Sequence, residues 1–400
     1  MLSRRVTVFF TSHMRKFSAL YLTGDKAKEE YASVHPYLDL KAVLQDKQGL
    51  EQNMRQRKMQ INIQEIYSQW KKFRDFQEKK VSLEKKRVEI VQVLKEAPNL
   101  NLEAAEKLKA EGKALREVLK TLKEDSYSFE DEFITNFLKL PNSLHQREQP
   151  KIISTYLERP TSGADGKSSN SYSYYCKGDL ARFDFNFTIF CQKFLRSKGF
   201  EYISNPDFVR SVVVEAAGVP MSHLYQVIEE DGNKINQLYL AGGASMLSFL
   251  GFIAKLSVPA TQLPIKLMAN GKVYCSDTKR QGNAVQAFIA TRNLQEAEEK
   301  FDELVQDLKE IYEKFNQHFR VIYVAPDHLG QSEMLRASIE MFSNQDYSEV
   351  ASVSLHGDYL SKRLLFNYKE GKDNKFPNVV SSTVVNTSKL SPLVKNIKFS

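Results

Sequence analysis

Four hundred residues exceed one ordinary domain and fit a large domain joined to a smaller module. Composition (42% hydrophobic, 11% aromatic) supplies a buried core, yet no apolar run approaches the roughly 20 residues that cross a bilayer, so no membrane insertion is expected. A formal net charge of +8 and a pI near 9.0 favour an acidic partner, most simply nucleic acid, although the same balance also serves solubility. Cys176, Cys191 and Cys275 are far apart and the seven histidines lack ligand spacing, which argues against a disulfide framework or a zinc site.

From Met1 to Gly24 there is no acidic residue, while Arg4, Arg5, Arg15 and Lys16 are interleaved with Leu2, Val6, Phe9, Phe10, Phe17 and Leu20. A basic, apolar, acid-free start of this kind is a mitochondrial presequence pattern; a secretory signal would need a longer unbroken apolar core. Residues 25–150 are expected to form a helical arm. Between about Gln64 and Asp125 glycine occurs only at Gly112 and proline only at Pro98, and Lys, Glu, Leu and Ala dominate. Leu108, Leu115 and Leu122 recur every seven residues with Val118 between them, and Val81 and Val88 share the spacing, so the stretch reads as an antiparallel coiled-coil hairpin. Pro98 is expected at its turn and Asn101 as the cap of the returning helix.

Lys79, Lys80, Lys85, Lys86 and Arg87 cluster on the outgoing limb, and Lys109, Lys113 and Arg116 on the returning one. Interleaved glutamates leave two readings open, a solvated face or a surface for phosphates. Residues 151–178, with the run "RPTSGADGKSSNSYS" from Arg159 to Ser173, read as a linker. From 179 to 400 a helix over Asp179 to Lys198 precedes strand-like runs such as "NQLYLAG", "LPIKLMANGKVYC", "NAVQAFIATRN" and "FRVIYVAP", with a long helix from Leu294 to His318 among them. Helices grouped in blocks between strands and tight turns predict an α+β class with a mainly antiparallel sheet. The chain contains neither GxGxxG nor a Walker loop.

A helical arm, a linker and an antiparallel-sheet domain in this order resemble seryl-tRNA synthetase, a class II aminoacyl-tRNA synthetase. "KGFEYISNPDFV" looks like the family's first motif, with Pro206 at its dimer interface. "QLYLAGGASM" resembles the serine-binding strand, and "LPIKLMANGKVYCSD" through "NAVQAF" the second motif. "SEVASVSLHGDYLSKRLLFNY", Ser348 to Tyr368, matches best, keeping Glu349, Ser352, Ser354, Asp358 and Arg363 in the family's spacing.

The resemblance also shows what is missing. The second-motif arginine that would grip ATP corresponds to Cys275, with Asp277 two positions on, and the returning strand's His and Glu correspond to Gln286 and Arg292. In the third motif Ser382 and Val384 replace glycines and Lys389 replaces the phosphate-gripping arginine; Gly243, Ala244 and Ser245 stand for the Thr-x-Glu signature. A thiol offers neither the charge nor the planar fork of a guanidinium. Glu349 and Ser352 alone stand where the family holds the metal on ATP. These departures point to a catalytically inactive, insect mitochondrial branch of the family. The resemblance therefore implies no catalytic residues, no cofactor, a mitochondrial matrix location, and dimerisation with the mitochondrial seryl-tRNA synthetase, whose tRNA(Ser) the arm would contact. Two other readings remain: a divergent ATP-dependent acyl or aminoacyl ligase using Glu349, and a mitochondrial protein or nucleic-acid adaptor without effect on serylation.

Overall fold

A computed structural model of the chain describes residues 18–21, 34–96, 102–159, 176–228, 237–276, 280–343 and 346–394. Two short helices come first, α1 (Leu40–Gln45) and α2 (Lys47–Gln56). The Asp39 carboxylate accepts the Ala42 amide at 3.1 Å and the Asp46 carboxylate the Gly49 amide at 2.9 Å, each capping amide groups that have no partner within the helix. The arm then runs out along α3 (Ile63–Glu96) and back along α4 (Leu102–Leu138), so the returning limb is longer than the hairpin expected to end near Asp125. Pro98 and Asn101 lie outside the described residues, as does most of the expected presequence, of which Ser18–Tyr21 is described.

The seam of the arm differs from expectation on the outgoing limb. Leu108, Leu115 and Leu122 are half-buried as the heptad spacing predicts, and Leu119 beside them is 5% exposed. Val81, Val88 and Val118, however, face solvent. The inward row of α3 is Phe73, Phe76, Leu83, Ile90 and Leu94, two residues out of phase with the valines. The larger side chains win the seam because they cover more apolar surface and meet facing partners. Phe73 stacks at 5.2 Å on Phe133, Phe76 at 6.1 Å on Phe129, and Ile90 approaches the position a Cβ would occupy on Gly112 to 3.7 Å.

Fourteen described strands follow: β1 (Lys151–Tyr156), β2 (Glu201–Tyr202), β3 (Phe208–Arg210), β4 (Tyr225–Gln226), β5 (Leu238–Leu240), β6 (Ser257–Pro259), β7 (Ile265–Cys275), β8 (Arg280–Thr291), β9 (Phe319–Tyr323), β10 (Leu335–Ser343), β11 (Asp346–Gly357), β12 (Asn367–Glu370), β13 (Asp373–Lys375) and β14 (Asn378–Asn386). Eight form the main sheet in the order β1-β9-β10-β11-β14-β8-β7-β2, antiparallel except for β2 on β7. The expected linker thus begins with an edge strand: β1 pairs with β9, Tyr156 opposite Phe319, because Ile152 and its neighbours complete a ladder that β9 would otherwise leave open. The remaining helices are α5 (Asp179–Ser197), α6 (Ser211–Ala217), α7 (Met246–Ile253), α8 (Leu294–Glu313), α9 (Tyr359–Leu364) and α10 (Thr387–Leu390). The α+β class with a mainly antiparallel sheet is as predicted.

Alternation along the strands divides the core. Ala287 and Ile289 of β8 join Phe183, Phe187 and Cys191 of α5 and Phe301, Leu304 and Tyr312 of α8 on one face. Phe288 and Ala290 join α6, α7, α9 and the foot of the arm, Phe133 and Phe137, on the other.

The foot of the arm is fastened to the sheet domain by a buried polar cluster. Arg57, 5% exposed, donates to the carbonyls of Glu333 at 2.5 Å, Gly330 at 3.1 Å and Asn142 at 3.2 Å, and to Asn53 Oδ1 at 2.9 Å. Burial pulls its pKa down to about 10, which still leaves the guanidinium charged at neutral pH. Asn142 donates in turn to the carbonyls of Ser332 and His356. The Glu333 carboxylate accepts from Ser354 Oγ at 2.6 Å and from the Gly330 amide at 2.5 Å. His356, buried between Ser332 and Ser381, is held below its usual range by loss of solvation, against the opposing pull of Glu333.

Two outcomes follow from this cluster. Arg57→Met removes the guanidinium donor from the buried Glu333 carbonyl and one of two donors from the Gly330 carbonyl, which keeps the Glu333 amide, and should cost about 3 kcal/mol by chemical denaturation. His356 remains neutral in the folded chain while its unfolded counterpart protonates near 6.5, so stability should fall as pH drops below about 6.5 toward its depressed folded value. His356→Gln should flatten that slope between pH 7 and 5.5 in urea titrations; an unchanged slope would assign the effect to other groups.

Candidate functional site

β7, β8, β11 and β14 lie side by side at the centre of the sheet, and their central residues face a cavity of about 240 Å³. Its lining includes Ala244, Ser245, Val273, Gln286, Glu349, Thr383, Asn386 and Lys389. The fold therefore brings together three separate stretches singled out in the sequence: the Gly243–Ser245 turn, the returning strand at Gln286, and the pair Glu349 and Lys389.

The turn that carries Gly243 has a strict steric requirement. Gly242 has φ +98°, and a Cβ there would meet the Lys272 carbonyl oxygen at 2.0 Å, so only glycine fits. The Gly243 amide donates to Asp207 Oδ1 at 2.7 Å, and Ser245 caps α7 by accepting from the Leu247 amide at 3.3 Å. Ala244 and Ser245 thus meet the cavity with a methyl group and a hydroxyl already used as a helix cap.

Polar groups across the cavity largely satisfy one another. Thr383 Oγ1 donates to Gln286 Oε1 at 3.0 Å. Glu349 accepts from Ser338 Oγ at 2.9 Å, and its other oxygen lies 4.0 Å from Lys389 Nζ, which approaches from α10. Both charged groups are partly exposed, so this pair contributes little stability but does neutralise the carboxylate. Cys275 ends β7, half-buried, beyond the lining residues; Asp277 lies outside the described residues.

Several correspondences drawn from the sequence move once geometry is available. Arg292 is exposed just past the end of β8, donating to the carbonyls of Ala260 and Leu263, and takes no part in the cavity. On β8 the cavity is lined by Ala284 and Gln286. Ser382 and Val384 do not occupy the cavity either: both are buried, Val384 in the core beneath the sheet beside α8, where Tyr312 donates to its carbonyl at 3.1 Å. Strand parity turns them away and presents Thr383 instead. Thr383 and Asn386 were absent from the sequence reading; they are three residues apart on β14, where the register shifts between Thr383 and Val385, so strand alternation alone does not place both at the cavity. Ser352 is not among the lining residues.

A larger groove of about 560 Å³ opens at the foot of the arm, between α1, α2 and α9. Lys362 pairs with Asp358 at 2.8 Å, and Arg363 donates through Nη2 to the Leu138 carbonyl at 3.0 Å while its buried Nη1 has no hydrogen-bond partner among the described residues. On the arm, Lys79, Lys85, Lys86, Arg87, Lys109, Lys113 and Arg116 are exposed, whereas Lys80 is half-buried at the edge of the seam. None of the eight forms an ion pair with a described carboxylate. Pro206 is exposed between Tyr202 and Phe208, which expose 50% and 51% of their surface.

Comparison with known proteins fits this geometry. No protein-family model matches the chain. It is 33% identical over 407 residues to the serine-tRNA synthetase-like protein Slimp of Drosophila melanogaster, covering 94% of this chain and 88% of that one. It is 24% identical to the mitochondrial serine-tRNA ligase of Mus musculus over 94% of this chain and 81% of the ligase. In structure it superposes with a TM-score of 0.75 on the ATP-complexed seryl-tRNA synthetase of Pyrococcus horikoshii, at 18% identity and covering 89% of this chain and 93% of that one. The 33% identity over nearly the whole length means that the chain belongs to the seryl-tRNA synthetase family, as a synthetase-like paralogue.

Proposed function

We propose that this protein is a non-catalytic mitochondrial paralogue that pairs with the mitochondrial seryl-tRNA synthetase in the matrix, supports its stability and tRNA serylation, and lays its basic arm on tRNA(Ser). The central cavity carries this reading. Amino-acid activation is driven by fixed cations around a transferring phosphoryl group, and each lost contact of that kind costs roughly 2.7–4 kcal/mol. Here Lys389 is the cation among the lining residues, and it faces Glu349. The volume, about 240 Å³, falls below the range of about 300–1,000 Å³ usual for small-molecule pockets.

Pairing is supported by the exposed apolar row Tyr202, Phe208, Tyr225 and Ile228 around Pro206, since such patches mark protein contacts. Matrix location is supported by the acid-free basic start and by the mitochondrial ligase among the relatives. RNA contact by the arm is supported by Lys79, Lys85, Lys86, Arg87, Lys109, Lys113 and Arg116, which are exposed and form no ion pair with a described carboxylate.

The purified chain should show no amino-acid-dependent pyrophosphate exchange with serine or with a panel of other amino acids. Measurable exchange would favour the divergent ligase instead. It should co-purify with the mitochondrial synthetase, and depleting it should lower charged tRNA(Ser); binding without an effect on charging would favour an adaptor. The triple variant Lys85→Ala, Lys86→Ala, Arg87→Ala should keep stability within about 1 kcal/mol, because all three are exposed. In tRNA titrations over a range of salt its slope should fall by about 2–3, one for each phosphate contact removed. An unchanged slope would return the arm to a merely solvated face.

A further inference from the structure

Ser18–Tyr21 lie within the stretch read from composition as presequence, yet they are built into the folded body. Leu20 is 0% exposed and belongs to the same core cluster as Phe133 and Val214; Ser18 and Ala19 are 5% and 4% exposed. Three donors converge on one carboxylate of α6: Ser18 Oγ donates to Glu215 Oε1, the Ala19 amide to Glu215 Oε2 at 2.6 Å and the Leu20 amide to the same oxygen at 3.0 Å. Ser18 Oγ also accepts the Leu20 amide at 3.1 Å and the Tyr21 amide at 2.9 Å, closing a turn about its own side chain. The Tyr21 hydroxyl donates to Glu130 on α4, tying the same four residues to the arm.

A segment with a fully buried leucine and five hydrogen bonds focused on one serine and one carboxylate is a structural element, and removing it would open the core and strip Glu215 of its donors. We propose that Glu215 is the receptor for the amino-terminal segment of the processed chain, and that presequence removal ends no later than the Phe17–Ser18 bond, not at Gly24. In that step a presequence peptidase adds water across the peptide bond ahead of Ser18; the Phe17 carbonyl becomes a carboxylate and the Ser18 nitrogen leaves as a new α-amine. Cut at that bond, the chain begins one residue from the Ala19 amide that already donates to Glu215, so the new ammonium adds positive charge beside the carboxylate. Charge and turn together make the processed end self-seating.

The inference rests on the mitochondrial reading, and the test separates the two. The full-length chain, tagged at its C-terminus, is expressed in cells, fractionated, and its amino terminus sequenced. Recovery from mitochondria with a first residue at or before Ser18 is expected. A mitochondrial chain beginning after Ser18 would overturn the boundary while leaving the location intact, and an unprocessed cytosolic chain would overturn both. Melting of the purified full chain then tests the receptor on its own: Ser18→Ala and Glu215→Ala should each lower Tm, and the double variant should lose at least about 2 °C less than the sum of the two. Additive losses would overturn the receptor. Should Glu215→Ala fail to fold, Glu215→Gln, which keeps one acceptor oxygen, is paired with Ser18→Ala in the same comparison.

Discussion

The buried guanidinium of Arg57 is the contact on which the rest of the molecule depends. A long, exposed hairpin has a narrow apolar seam, and that seam alone cannot define how the arm meets the sheet. Arg57 does so by filling the acceptor set of the 330–333 loop and of Asn142 at once, so that the chain before the arm, the chain after it and the sheet share one charged hydrogen-bonding centre. Desolvation makes such a group costly unless every donor is used, and this gives the cluster its directional character. Glu333, Ser354, His356 and Ser381 extend the same network into β11 and β14, the strands whose neighbouring residues line the cavity.

That arrangement lets the frame persist while the cavity changes. The ladders of β7, β8, β11 and β14 are made by the backbone, and the packing on their two faces by Phe288 on one side and Val353 and Val384 on the other. None of these contacts needs a nucleotide-binding side chain. Gln286 with Thr383, and Glu349 with Ser338 and Lys389, form local pairs across the cavity. Under the proposed function, selection acts on the frame, on the apolar face near Pro206 and on the arm.

The arm illustrates how charge and packing divide one helix pair. Phe73, Phe76, Leu83, Ile90 and Leu94 take the inside, and the basic side chains are left on the outside in two groups. Lys80 sits at the boundary, where its aliphatic stem can lie along the seam, so of the eight predicted residues it is the one whose role is split between packing and surface charge.

The sequence by itself determined the class of the fold, the helical arm and most strand positions, because periodicity and the spacing of glycine and proline act locally. It also held the family resemblance, in ordered motifs that survive the loss of individual side chains. Tertiary structure decided the rest. Val81 and Val88 in α3 share a seven-residue spacing with Phe76, Leu83 and Ile90, and only the facing helix selects which row is buried. Gln286 lies within β8 and Arg292 just beyond its end, and only sheet register places Gln286 at the cavity. Ser18–Tyr21 read as part of a cleavable leader until Glu215, almost two hundred residues away, is brought against them. Parity, register and long-range polar partners arise from the meeting of segments, and no single segment contains them.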